Sequence, residues 1–190
     1  MLKALEHWPP RNQVVTGIIA ATCVFLVVFV MMRVVSEPIE EESSHDVIDL
    51  EFAWTSDKMK TILDDWGEDL IEAEIQATYL DFVFLVAYGT VLAGFSLLIS
   101  RAFKEELLGY LGFRFVIISY IASLFDAIEN VNLLLVLYFP DSFPAFAPLL
   151  ASICATIKFA MILCTAGYIL FGSLILGFRK LRKELKSAKN

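Results

Sequence analysis

The sequence predicts an all-α polytopic membrane protein: a bundle of four transmembrane helices with a small extracytoplasmic cap between the first and second. Three observations carry that prediction. The 190 residues are 58% apolar and their mean hydropathy is +0.69, whereas soluble domains run nearer half apolar. Four apolar runs are each long enough to cross a hydrocarbon core of about 30 Å, which takes about 20 helical residues. Charge makes up only 19% of the chain and is segregated along it. Residues 1–190 read as a single membrane domain. Three cysteines without a C-x-x-C pair, and two distant histidines, argue against a zinc finger, a disulfide scaffold or a histidine-rich metal centre. No metal and no cofactor are expected. The net charge of −7 argues against nucleic acid as a partner.

The first span is 14–35, broken by Arg33 near its end. Its apolar stretch is too long for a cleaved secretory signal, and no small-x-small site follows, so it reads as a retained anchor. The second span is 79–100 with Asp81 near its start, the third 113–139, and the fourth 148–178. Runs of this length are helices, because in lipid only helices and closed barrels satisfy the backbone. Orientation follows from the basic residues. The amino-terminal segment (Lys3, Arg11), the loop after the second span (Arg101, Lys104, Arg114) and the tail 179–190 hold 11 of the 15 lysines and arginines. Both termini are therefore expected to be cytoplasmic.

Residues 36–78 form the cap and hold 14 of the 22 acidic residues. Ile48, Leu50, Phe52 and Trp54 alternate with Asp49, Glu51 and Ala53, the period of a half-buried strand. Ser56 is expected to cap a helix in which Met59, Ile62, Leu63 and Trp66 share one face. Gly67 is expected to bend the chain, with Trp54 and Trp66 at the membrane interface. The acidic run around Glu37, Glu40–Glu42, His45 and Asp46 lacks the spacing of a calcium loop and reads as solvated. Residues 140–148 form a short outer loop, with Phe143 and Phe146 expected at headgroup level.

The third span contains Asp126, Glu129, Asn130 and Asn132. Asp126, Glu129 and Asn130 share a helix face, and Ser119 and Ser123 extend it, while Asn132 points elsewhere. Such a seam must face the bundle, covered by the other three spans. Glu129 lies ten residues from Phe139 and Lys158 ten from Pro148, so each sits about 15 Å below the outer surface. A Glu129–Lys158 ion pair is expected, with Asp126 one turn deeper and Asp81 above Tyr88 on the second span. A central charge costs about 2.5–3.5 kcal/mol on insertion scales, and about fifteen large apolar residues in the third span return roughly 5–9 kcal/mol. Two carboxylates consume most of that. At least one of Asp126 and Glu129 is therefore expected to be neutral, or matched by a cation or amine. Ala151, Ala155, Gly89, Gly94, Gly167, Gly172 and Gly177 are expected to allow close helix approach. Cys23, Cys154 and Cys164 are expected as packed thiols.

The segments Leu80-Asp81-Phe82-Val83-Phe84 with Ala87-Tyr88-Gly89, Phe125-Asp126-Ala127-Ile128-Glu129-Asn130, and Lys158-Phe159 resemble a group of uncharacterised prokaryotic four-span membrane proteins. In that group an LDFxFxxAYG segment, an FDxxEN segment and a late lysine recur. Phe52-Ala53-Trp54-Thr55 and Trp66-Gly67 are similar to it as well. This resemblance implies no activity, but it implies the cytoplasmic (inner) membrane of a prokaryote. The architecture also resembles, at the level of fold, the EXPERA group of sterol isomerases and sigma-2-type receptors, which implies carboxylates in a membrane pocket.

Three functions fit these residues, and a fourth, proton or ion conduction, fits them less well, because four spans give a narrow core and Leu133 to Leu137 leave no polar path outward. The first is a binding protein whose outward-opening pocket, lined by Asp81, Tyr88, Asp126, Glu129, Asn130 and Lys158, takes a lipid or a small amphipathic or cationic molecule. The second is a membrane-embedded isomerase with Asp126 and Glu129 as acid and base. The third is an accessory subunit whose seam meets a partner membrane protein or a second copy.

Overall fold

A computed structural model describes residues 7–104 and 106–187. Lys3 and Lys189, counted above for orientation, lie outside them. Among the described residues there are five helices: α1 (Arg11–Glu42), α2 (Val47–Glu51), α3 (Ser56–Ala102), α4 (Leu107–Tyr138) and α5 (Ala147–Ser187). Four of them, α1, α3, α4 and α5, are long and apolar enough to cross a membrane. Each begins or ends beyond the apolar run from which it was predicted. The added turns are charged at the end of α1 and in the tail of α5, apolar at Leu107–Gly112 of α4 and amphipathic at Ser56–Thr78 of α3, and backbone hydrogen bonding carries a helix past the edge of its hydrophobic stretch.

The segment expected as a strand is helical over its first half, within Val47–Glu51, and a turn followed by irregular chain at Phe52, Ala53 and Trp54. Asp46 accepts a hydrogen bond from the Asp49 amide at 2.8 Å, and Asp49 accepts one in return from the Asp46 amide. This capping box starts α2 by satisfying amide donors that the first turn leaves free. A lone strand would have had two unpaired edges. Leu50 turns inward and is fully buried, whereas Ile48 is exposed. The expected cap at Ser56 falls one residue earlier: Thr55 Oγ1 accepts from the Lys58 amide at 3.2 Å.

Gly67 bends α3 as expected, with φ 63° and ψ −176°. That region of the backbone map is open essentially to glycine alone. Before the bend, Met59, Ile62, Leu63 and Trp66 are buried. They join Ile39, Leu50, Ala53 and Leu70 with Leu133, Val136 and Leu137 of α4 and Ala147 and Ala151 of α5 in one apolar core. This core fixes the cap on the α4–α5 end of the molecule. Trp66 is inside it, only 3% exposed, rather than at an interface, and its Nε1 donates to the His45 carbonyl at 2.9 Å. Trp54 is exposed, with φ 61°. Phe143 packs against the cap core and only Phe146 of the pair points outward. His45, expected as a free surface residue, meets Asp65 at 3.1 Å.

Helices α3, α4 and α5 pack against one another, and α1 packs along α3. Phe25 of α1 stacks on Phe84 of α3 at 4.7 Å, and Val14 and Ile18 meet Phe113 and Val116 of α4 at the end away from the cap. A side chain at Gly89 would collide with Ser123, at Gly94 with Ile18, and at Gly172 with Ile99, so these glycines do permit close approach. Gly167 and Gly177 do not: nothing lies near them. Cys154 is buried, but Cys23 and Cys164 are exposed, on outward faces of their helices.

Candidate functional site

The α4 seam faces α3 and α5. Asp126, Glu129, Asn130, Ser119 and Ser123 are all buried. Helices α3 and α5 supply the side chains that meet Asp126, Glu129 and Asn130. Helix α1, expected to help, packs along α3 and reaches α4 only at Phe113 and Val116, at the end away from the cap.

Lys158 projects from α5 into this face. Its Nζ donates to Asp126 Oδ1 at 2.8 Å and to Glu129 Oε1 at 2.9 Å. The depth match read from the sequence thus ends in the Glu129–Lys158 pair, with Asp126 as a second partner. The ammonium's third contact comes from the cap: Glu51 Oε1 of α2 lies at 3.4 Å. The Lys158 ammonium also lies 5.0 Å from the Phe159 ring centroid, and Phe159 stacks on Phe52 beside Glu51.

The remaining predicted residues attach to this centre in two ways. Tyr88 of α3 donates to Asp126 Oδ2 at 2.9 Å, so both oxygens of Asp126 are engaged. Asp81, half-buried on α3, accepts from Asn130 Nδ2 at 2.6 Å. It does not touch Lys158, and joins the cluster only through Asn130, one turn above Asp126 on α4. Asn132 turns away and donates to the Ile128 carbonyl at 2.7 Å.

Two carboxyls in the neighbourhood were not anticipated. Glu51 was one acid among 14 in residues 36–78, with nothing in its spacing to set it apart once the segment was taken as a strand. Glu74 of α3 is 3% exposed; its neighbour Thr78 donates to the Glu74 carbonyl at 2.8 Å and more weakly to Oε1. A signal for Glu74 did exist. Continuing the Met59–Trp66 stripe past Gly67 through Leu70 to Ala77 puts Glu74 on the buried face. The cap is held over the site by Ser152 of α5, whose Oγ donates to the Glu51 carbonyl at 2.8 Å and accepts from the Trp54 amide at 3.0 Å.

Three carboxyl groups (Glu51, Asp126 and Glu129) thus meet one ammonium, and two more, Asp81 and Glu74, lie nearby on α3. Fully ionised, they would leave four uncompensated negative charges in a largely buried region, and protonation or a bound cation is the way such an excess is relieved. Glu51, which lies in the cap, has its carboxyl held above the ordinary value of 4.5 by burial, against the pull of Lys158 and reinforced by Asp126. Oε2 of Glu51, of Glu74 and of Glu129 has no hydrogen-bond partner. Among the described residues no set of histidine, cysteine and carboxylate side chains is arranged to hold a metal ion.

The site is closed. Asp126 is 2% exposed, Glu129 0% and Lys158 5%, with the cap core directly above them. The outward-opening pocket expected from the sequence is filled, because the residues expected to form a strand roll into a helix that delivers Leu50 and Glu51 to the mouth.

Fold and site together define a class: an all-helical protein with four helices able to cross a membrane and a buried lysine–carboxyl cluster under a helical cap. No protein-family model, curated protein or solved structure matches the chain.

Proposed function

We propose that this chain is an integral membrane binding protein whose buried carboxyl cluster takes an organic cation with an apolar tail, either an amine-bearing lipid or a small amphiphile. In this reading α1, α3, α4 and α5 form a four-helix bundle in the inner membrane of a prokaryote. The basic ends, with Arg11, Arg101 and Arg179, face the cytoplasm and the cap lies outside. Asp126 and Glu129 are the acceptors for the cation, Lys158 balances part of their charge, Tyr88 and Asn130 orient Asp126 and Asp81, and the cap lifts to admit the ligand.

The observation that carries this reading is the excess of carboxyls over ammonium, with Oε2 of both Glu51 and Glu129 lacking a partner beside Lys158. Fastening helices together needs far less: interhelical polar contacts in membranes average about 0.6 kcal/mol. An amine supplies both the missing donors and the missing positive charge.

A second reading draws on the closure of the site. A cluster this tightly packed also serves as a structural lock, in an accessory subunit whose partner or second copy covers the exposed helix faces. An isomerase using Asp126 and Glu129 has no comparable observation in its favour.

Native mass spectrometry of gently purified protein separates the two readings. Binding predicts an amphiphilic amine that accompanies the wild type and is absent from Asp126→Asn and Glu129→Gln, both still folded. An empty wild type, with variants that unfold or shed a bound subunit, would leave only the structural lock.

A further inference from the structure

Glu74, Thr78, Asp81, Leu85 and Tyr88 follow one another at i, i+4, i+7, i+11 and i+14 on a single face of α3. Four of the five are polar. Glu74 heads the row at the cap end, close enough to Glu51, Asp81 and Lys158 to feel their charges. Its Oε1 is touched by Thr78, while its Oε2 is buried without a partner. Asp81, about one helical turn beyond Thr78, is tied to Asn130 and lies within electrostatic reach of Asp126. A carboxyl buried without a full set of partners needs an explanation beyond packing.

The other end of the seam is closed. Tyr168 donates its hydroxyl to the Leu108 carbonyl at 3.0 Å and fills the space over Gly112, where any added side chain would strike it. Ser100 is bonded to the Gly109 carbonyl at 2.6 Å, and Phe103 is 1% exposed beneath. No titratable row comparable to Glu74–Asp81 continues from Tyr88 to that end among the described residues; the seam goes on there as Ser123 and Ser119, hydrogen-bonded to the backbone.

We propose that Glu74 is the entry carboxyl of a proton route along α3, through Thr78 and Asp81 to Asp126 and Glu129, so that the buried cluster exchanges protons with the cap side only. The groups that face this route are Glu51 on α2, Glu74, Asp81 and Tyr88 on α3, Asp126 and Glu129 on α4, and Lys158 on α5. The transfer balances without any co-reactant. Glu74 is buried in the closed form; when the cap lifts it takes a proton from water and passes it to Asp81, the proton then moves to a carboxylate of the cluster, and Glu74 is again ionised. Along α3 the groups of the row stand three or four residues apart, about 4.5–6 Å of helical rise, and the route crosses to α4 where Asp81 meets Asn130.

The test is a pH jump on purified protein followed by infrared absorbance of protonated carboxyls. In wild type the cluster responds promptly. Glu74→Gln should lose its own carboxyl signal and slow the response of the remaining carboxyls by about a hundredfold, the low end of what a positioned proton-transfer group contributes. Glu74→Asp, which keeps an acid at the position, should recover most of the rate. An unchanged rate in Glu74→Gln would overturn the proposal. So would equal slowing in both variants, which would make Glu74 a packing residue. No amine is present in this experiment, so its outcome is separate from that of the binding reading.

Discussion

Lys158 meets three carboxyls with its three N–H bonds, and the charge state of the site turns on that residue. Lys158→Met keeps an unbranched stem at the buried position and removes the charge. If Asp126 and Glu129 are ionised around it, the variant leaves them buried and uncompensated, and stability should fall by about 3–5 kcal/mol. Chemical unfolding in detergent measures this. A loss below about 1 kcal/mol would mean that the carboxyls are already protonated, since a neutral group loses little when its ionic partner goes. At this scale the sequence was informative where polar residues interrupt apolar ones. Asp126, Glu129 and Lys158 stand out in long hydrophobic runs, and equal depths on neighbouring helices bring two of them together. Glu51 did not stand out, because an acid in an acidic loop carries no contrast.

Among the elements, the cap departs most from its sequence reading. Alternation over Ile48–Trp54 matched a strand in period, but the capping box at Asp46 and Asp49 and the absence of any partner strand decide for helix. The choice has a chemical consequence. As a helix, α2 points Leu50 into the cap core and carries Glu51 to Lys158, so the cap is docked by a titrating bond. Glu51 in the docked cap holds its proton more tightly than when the cap is free. Docking therefore binds protons: the Glu51 contribution is complete below its ordinary value of 4.5 and is lost as pH rises through the raised one. Fluorescence of Trp66, together with proteolysis of residues 43–55, should report a cap that is tighter in acid and looser towards neutrality. Glu51→Gln should flatten that dependence. A wild-type cap that loosens on acidification would contradict the assignment.

Over the whole molecule, the four long helices were legible because hydrophobic length is a direct count, and their extensions were not, because hydrophobicity says nothing about where hydrogen bonding stops. The position of α1 was also hidden. A polar seam announces that it must be covered but not by which helix, and here α3 and α5 supply its partners while α1 rides on Phe84 and Gly94. Gly167 and Gly177 show the same limit, since small residues are needed at close contacts but also occur away from them. What the assembled chain offers is a charge arrangement: acidic cap at one end, basic ends at the other, and between them one ammonium met by three carboxyls with two more nearby on α3.

If that excess is a cation site, amine and proton compete for it. Calorimetric titration of the detergent-solubilised protein with dodecylamine at a series of pH values tests this competition directly. Dodecylamine stays charged throughout the acidic range, so only the protein's carboxyls titrate. The account predicts that affinity weakens by up to about tenfold per pH unit as the carboxyls take up protons, and that Glu129→Gln abolishes binding. Affinity that is independent of pH, or undiminished in Glu129→Gln, would contradict a carboxyl-based cation site.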